Sequence, residues 1–260
     1  MNELFIEPEL TTDAKNPQNA SYVRKTFQIQ KEIKNAAVKF SACGMYKAFV
    51  NGAEVDTQVF LPGRTSYGYR LQYQEYDVTK MLRAGENAIV TDRSWKAFQN
   101  GPVRRNNVKQ GELYDARKEL QGWTDIGFDD SRWHGVKKSS YPGQLVPGEG
   151  ERITEHERFQ PEKILHTPDG STVLDFGQNL AGYVEFRVKG KAGTKVELVC
   201  GETLDENGNF TLENPGFRKD KHTGCYPQTI QYILTEGTQR YKPLFSVQAF
   251  LQERALGFYH

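Results

Sequence analysis

The stretch Val184-Glu185-Phe186-Arg187-Val188 decides the fold of this chain. Apolar and charged residues alternate in it, which is the period of a β-strand with one buried and one exposed face. The alternation recurs within residues 38–42, 196–198, 230–234 and 245–251, and turn-forming residues bound each run. We therefore predict strands there. Their expected buried side chains are Val38, Phe40, Ala42, Val184, Phe186, Val188, Val196, Leu198, Ile230, Tyr232, Leu234, Phe245, Val247, Ala249 and Leu251.

Long amphipathic helices are missing from the sequence. Residues 112–120 come nearest to a helical stripe, and there we predict one helical turn or a loop before Gly122. A second short turn is expected after residues 77–79. The predicted fold class is all-β, with two β-sandwich, jelly-roll-like domains. Residues 139–152 contain two Pro-Gly pairs and little periodicity, so we place the domains at 1–145 and 146–260.

Composition excludes several classes of partner. The 260 residues carry 34 Lys and Arg against 33 Asp and Glu, a net charge of +1 without long single-sign blocks, so no nucleic acid is expected. No apolar run approaches the ~20 residues of a membrane span, and residues 1–8 do not resemble an export signal. We expect a cytoplasmic protein with no membrane partner.

Catalytic and metal signatures are equally scarce. Neither a Gly-x-Ser-x-Gly elbow nor a phosphate-cradling or dinucleotide-binding glycine motif occurs. The three cysteines, Cys43, Cys200 and Cys225, form no Cys-x-x-Cys pair. Residues 205–208, Asp-Glu-Asn-Gly, would suit either a calcium loop or a tight hairpin turn, and we predict the turn because the run stops after four residues.

One segment suits carbohydrate chemistry. Residues 127–133 read Gly-Phe-Asp-Asp-Ser-Arg-Trp, and Trp123 lies just upstream. Carboxylates accept hydrogen bonds from sugar hydroxyl groups, and aromatic faces cover their C–H patches. The same residue types also cap turns and anchor cores, which is the more common role. Trp123, Asp129, Asp130 and Trp133 are therefore candidate carbohydrate-binding residues beside a structural interpretation.

Several motifs together resemble the non-catalytic N-terminal region of bacterial α-L-rhamnosidases, which are inverting glycoside hydrolases. The resemblance spans most of residues 20–250, and residues 175–179, Asp-Phe-Gly-Gln-Asn, are its most specific part. The other stretches that carry it are 22–27, 43–52, 61–67, 71–79, 85–88, 94–97, 111–117, 122–123, 128–133, 167–170, 180–183, 190–194 and 201–209.

Two departures from the family pattern bear on function. A block usually found after residues 87–89 is missing, so strands of the first sandwich are expected to be lost, with a homodimer covering the exposed edge. Where the family continues into a helical barrel that holds its catalytic carboxylates, the chain ends at His260. The resemblance therefore implies a non-catalytic region with no catalytic residue of its own.

Three functions stay open at this point. The first is a structural or accessory part of a glycoside hydrolase. The second is a carbohydrate-binding module for rhamnose-containing glycans, since in some relatives the first sandwich binds rhamnose with a calcium ion. The third is an active α-L-rhamnosidase, which would need an unrecognised carboxylate pair about 6.5–9.5 Å apart.

Overall fold

The computed structural model describes residues 4–9, 19–88, 94–108, 110–212, 218 and 228–256, and nearly every regular element in them is a strand. The strands are β1 (Leu4–Pro8), β2 (Tyr22–Arg24), β3 (Thr26–Ile29), β4 (Ala37–Phe40), β5 (Phe49–Val50), β6 (Ala53–Glu54), β7 (Arg70–Asp77), β8 (Gly85–Ala88), β9 (Lys96–Phe98), β10 (Val103–Asn107), β11 (Gly111–Asp115), β12 (His134–Ser140), β13 (Gln144–Pro147), β14 (Lys163–His166), β15 (Thr172–Gly182), β16 (Phe186–Gly190), β17 (Lys195–Gly201), β18 (Thr203–Leu204), β19 (Phe210–Thr211), β20 (Thr229–Ile233), β21 (Gly237–Tyr241) and β22 (Gln248–Leu256). Short 3₁₀ turns occupy Thr79–Met81 and Ala116–Lys118. The predicted all-β class and both predicted helical turns are confirmed. No helix in the described ranges has the length and apolar character needed to cross a membrane.

The chain divides into two compact units that interleave in sequence. The first contains the described residues of Met1–Ala14, Ser21–Gln99 and Leu120–His156, and the second contains those of Lys15–Ala20, Asn100–Glu119 and Glu157–His260. The sequence instead predicts a single division at residue 145. The difference arises because β11 pairs in parallel with β20, which places residues 100–119 in the second unit.

The first unit is built from small sheets. Their orders are β1-β12-β9-β2, β13-β7-β4, β3-β8 and β5-β6. One apolar cluster surrounds Val50 and Val78, with Val38 and Phe40 packed against it. A second contains Trp95, Ala97 and Val136.

The β5–β6 hairpin turns at Asn51 and Gly52, whose φ angles of 50° and 86° match a tight turn of the I′ kind. An Asn-Gly pair between two short apolar runs predicts such a hairpin, because both residues accept positive φ angles, and the structure confirms this prediction. The 205–208 turn is confirmed as well, since Gly208 N donates to Asp205 O at 3.0 Å between β18 and β19.

The second unit is a sandwich over a seven-stranded sheet, in the order β10-β11-β20-β17-β22-β15-β14. Strands β16 and β21 form the opposing pair. The sheet contributes Val196, Leu198, Ile230, Tyr232 and Leu234 to the core, and the opposing pair contributes Val188 and Tyr241. The buried side chains predicted for β16, β17 and β20 are therefore confirmed, but β20 is buried on both faces, since Thr229 and Gln231 are 1% and 7% exposed.

The same prediction fails around β22. Phe245 and Val247 are only half-buried, whereas Ser246 and Gln248 are 0% and 2% exposed. The reason is a contact between residues distant in sequence: the backbone N–H groups of Leu244 and Phe245 donate to the buried carboxylate of Glu112, each at 3.1 Å, and strand pairing starts only at Gln248. The predicted side chains Ala249 and Leu251 lie outside the described part.

Candidate functional site

Arg24 organises the segment that contains the predicted carbohydrate-binding residues. Its side chain, 4% exposed, extends from β2 and makes four hydrogen bonds to residues 123–130. The acceptors are Trp123 O at 3.0 Å, Asp125 O at 2.8 Å, Phe128 O at 3.3 Å and Asp130 Oδ2 at 2.5 Å. The guanidinium thus fixes the whole turn to the sheet.

Asp130 is bound by two cations. Besides Arg24, Lys96 Nζ of β9 donates to its Oδ1 at 2.5 Å. Burial by itself would raise the pKa of Asp130, but the hydrogen bonds from Lys96 and Arg24 outweigh it and lower the pKa. The carboxylate is therefore ionised and occupied by protein partners.

Asp129 lies on the exposed side of the turn. Its Oδ1 accepts from Ser131 N at 2.9 Å, a local contact that caps the turn, and the hydrogen bonds from Ser131 lower the pKa of Asp129. Of the two carboxylates, Asp129 is the more exposed.

The two tryptophans belong to an aromatic cluster. Trp133, 8% exposed, stacks on Phe98 at 5.6 Å and meets Phe128 edge-on at 5.8 Å. Trp123 is half-buried; it stacks on Trp133 at 6.2 Å, and Tyr22 meets it edge-on at 5.1 Å. Such contacts stabilise a core, and they leave little of the Trp133 face for a sugar.

The carboxylates of this segment do not fit a calcium site. Calcium prefers six to eight oxygen ligands, and both Asp130 oxygens already pair with cations that would repel it. Within the described ranges, no group of three or more His, Cys, Asp and Glu side chains is placed to hold a metal ion. Calcium and the four carbohydrate-binding residues stay predictions.

A second polar cluster, which the sequence did not indicate, surrounds Tyr46. Its hydroxyl donates to Gln74 Oε1 at 2.9 Å and lies 3.1 Å from the Tyr76 hydroxyl. Asp56 lies beside them and accepts from Arg152 at 2.7 Å. The cavity lined by Tyr46, Asp56 and Tyr76 measures ≈ 10 Å³, which is room for about one water molecule and not for a sugar.

The sequence indicated Asp130 as a candidate residue but did not indicate its basic partners, Arg24 and Lys96. Arg24 and Lys96 lie 106 and 34 residues from Asp130, so no local spacing connects them. The sequence of β2, Tyr-Val-Arg, also gives no sign that the Arg24 side chain is buried. The pairing of β2 with β9, which places the two cations opposite each other, is visible only in the fold.

Two family models match the chain. The alpha-L-rhamnosidase N-terminal domain matches residues 31–91 and 88–157, and the bacterial alpha-L-rhamnosidase concanavalin-like domain matches residues 165–251. The N-terminal match is split where the sequence predicts a missing block.

Individual rhamnosidases are similar along nearly the whole chain. One from Formosa agariphila is 29% identical over 92% of this chain and 30% of its own length. The crystal structure of a Streptomyces avermitilis rhamnosidase complexed with L-rhamnose is 30% identical, covers 93% of this chain and 27% of that one, and has a TM-score of 0.84. A native rhamnosidase from Aspergillus terreus is 28% identical, covers 98% and 34%, and has a TM-score of 0.87. The chain spans about 30% of the length of the curated relatives it matches. It belongs to the alpha-L-rhamnosidase family and corresponds to the N-terminal region of these proteins.

Proposed function

We propose that this member of the alpha-L-rhamnosidase family is a non-catalytic β-sandwich region, accessory to a glycoside hydrolase. The observation that carries the proposal is the state of its carboxyl groups. An inverting glycosidase needs one carboxylic acid with a raised pKa and a second carboxylate about 6.5–9.5 Å away. Six carboxyl groups have a pKa that is lowered, the opposite of what a general acid needs; they are Asp56, Asp77, Asp115, Asp129, Asp130 and Glu185.

Three of the carboxyl groups with a lowered pKa are held by arginine side chains. Asp115 accepts from Arg117 at 2.8 Å at the end of β11, Asp56 binds Arg152, and Glu185 binds Arg158 at 2.7 Å. An ionised carboxylate held by a cation is a poor proton donor. These contacts favour a role in stabilising the fold.

The most deeply buried carboxylate is also engaged. Glu112, 0% exposed, accepts from the Tyr241 hydroxyl and from the backbone N–H groups of Leu244 and Phe245. Burial and the negative charge of Glu112 raise the pKa of Tyr241 well above its usual value, so the phenol keeps its proton. A substrate cannot reach this group, and its hydrogen bonds join β11 to the segment before β22.

The test is hydrolysis of 4-nitrophenyl α-L-rhamnoside by the chain between pH 4 and pH 8. We expect no nitrophenol release above a blank without protein. Release that disappears in Asp129→Asn, the variant of the exposed carboxylate, would overturn the proposal in favour of an active rhamnosidase. Asp77→Asn, at another exposed turn, is the matched control.

The second candidate is a carbohydrate-binding module for rhamnose-containing glycans. Two observations favour it: the Streptomyces avermitilis relative was crystallised with L-rhamnose, and one short segment contains both the exposed Asp129 and the half-buried Trp123. The occupied Asp130 and the buried Trp133 favour the structural role instead.

Calorimetry separates the two candidates. Millimolar L-rhamnose, with and without calcium, would reveal even ~4 kcal/mol of binding. Absence of heat eliminates the module. Heat that is lost in Trp123→Leu but kept in Tyr69→Leu, an exposed aromatic outside the turn, would establish it.

A further inference from the structure

The outer face of the β16–β21 pair carries a local excess of positive charge. Val188 and Tyr241 point into the core, so their neighbours on the two strands, Arg187, Lys189 and Arg240, point outward. The basic face, as we call it, consists of Arg158, Arg187, Lys189, Arg240 and Lys242. The whole chain has a net charge of only +1, so this concentration does not reflect an overall basic composition.

One carboxylate partly neutralises the basic face. Glu185 accepts from Arg158 at 2.7 Å and also from Arg240. Arg187 and Lys189 are exposed and have no hydrogen-bond or ion-pair partner in the part of the chain that the structure describes. Two cations on this face are thus available to an anionic partner.

Strand register arranges these charges as a ladder. Arg187 lies directly opposite Arg240 in the antiparallel pair. Lys189 follows Arg187 on the same face, about 7 Å farther along the strand. Like charges directly opposite each other destabilise a sheet, and Glu185 neutralises Arg240 but forms no hydrogen bond or ion pair with Arg187 among the described residues.

We propose that the basic face binds an acidic polysaccharide, a glycan that carries carboxylate groups along its length. That the partner is a glycan rests on the proposed function. That the glycan must be anionic goes beyond the proposed function and follows from the charge of the basic face. An extended polyanion complements an open row of cations. A protein partner is disfavoured because the apolar side chains of these strands face inward, whereas protein interfaces usually have an apolar centre.

Gel electrophoresis through embedded polygalacturonate tests the proposal on the whole chain. We expect retardation at low salt that weakens as added salt screens the charges. The double variant Arg187→Gln/Lys189→Gln should bind at least about tenfold more weakly, since it removes the two unpartnered cations. The double variant Lys138→Gln/Lys163→Gln removes two exposed cations elsewhere and should bind like the unmodified chain.

Three results with polygalacturonate would overturn the proposal. They are no retardation in polygalacturonate, equal weakening in both double variants, and equal retardation in fully methyl-esterified polygalacturonate, which has lost its carboxylates. Equal retention on double-stranded DNA of matched charge would also overturn it, because the face would then bind any polyanion. Rhamnoside hydrolysis is assayed on the same samples. If the chain is neither retarded nor hydrolytic, the basic-face proposal fails and the accessory role stands. If the chain is retarded and also hydrolyses the rhamnoside, only the accessory role fails.

Discussion

Arg24 and Lys96 stand directly opposite each other on β2 and β9, and one carboxylate, that of Asp130, neutralises both. Like charges in this cross-strand position repel each other unless an anion lies between them. Asp130 supplies that anion from a turn distant in sequence. The pair of strands and the turn therefore depend on each other.

Replacing Asp130 should cost stability. Asp130→Asn leaves the buried Arg24 without its counter-charge, and breaking a buried ion pair costs about 3 kcal/mol. Urea unfolding should show this loss. Asp129→Asn is the control one position away, and its effect should be much smaller because Asp129 is exposed.

Acid should remove the same stabilisation. The pKa of Asp130 is lowered in the folded state, so its contribution is complete above the unfolded value of about 3.9 and is lost as pH falls through the folded pKa. The difference in unfolding free energy between the unmodified chain and Asp130→Asn should be constant above about pH 5 and shrink below about pH 4. Contributions of Asp56 and Asp115 cancel in this difference. A difference that grows on acidification would contradict the assigned ion pairs.

Gln248 should be replaceable with a gain in stability. It is 2% exposed, and among the residues that the structure describes neither its amide nitrogen nor its amide oxygen has a hydrogen-bond partner. An unsatisfied buried polar group costs about 1–3 kcal/mol, so Gln248→Leu should raise the free energy of unfolding.

Gln231→Leu is the matched control for Gln248→Leu. Gln231 is 7% exposed, accepts from Arg105 at 3.2 Å and donates to Glu197 at 2.6 Å. Its loss should destabilise the chain by a comparable amount. If both variants shift the free energy of unfolding in the same direction, burial and not hydrogen bonding determines the effect of substitution at these two positions.

Gly111 should tolerate no side chain. Its φ is +93°, and a Cβ would lie within 2.0 Å of the Thr229 carbonyl oxygen on the paired strand β20. Gly111→Ala should therefore lower the free energy of unfolding by more than about 2 kcal/mol. Gly237 has a similar φ of +90°, but a Cβ there would meet no other atom. Gly237→Ala should therefore lower the free energy of unfolding only by the strain of the positive φ, about 1 kcal/mol. Equal thermal shifts for the two would argue against the parallel pairing of β11 with β20.

Period-two patterning predicted the core strands because their burial is a local property of the sequence. Leu198 and Ile230 point inward as the alternation requires, and the Asn51-Gly52 pair forms its hairpin because Asn and Gly accept positive φ. Local patterns do not show which distant residues contact the end of a strand. Ser246 and Gln248 are buried because Glu112, far away in sequence, binds the backbone before them.

The candidate site was predictable in composition but not in role. The sequence placed Asp130 and Trp133 in one segment, but their partners come from β2 and β9. A free carboxylate and a carboxylate between two cations look the same in sequence. The pairing of Arg24 with Lys96 decides between them, because it converts a plausible sugar ligand into a structural counter-ion.

A double-mutant cycle on Arg24 and Asp130 tests whether the polar and aromatic side chains of this turn serve the fold. The free energy of unfolding is measured for Arg24→Met, Asp130→Asn and the combined variant. We predict that each single change costs about 3 kcal/mol and that the combined change costs at least about 2 kcal/mol less than their sum, because each partner is harmful only when left alone. Additive losses, with a coupling below about 0.5 kcal/mol, would contradict this structural role.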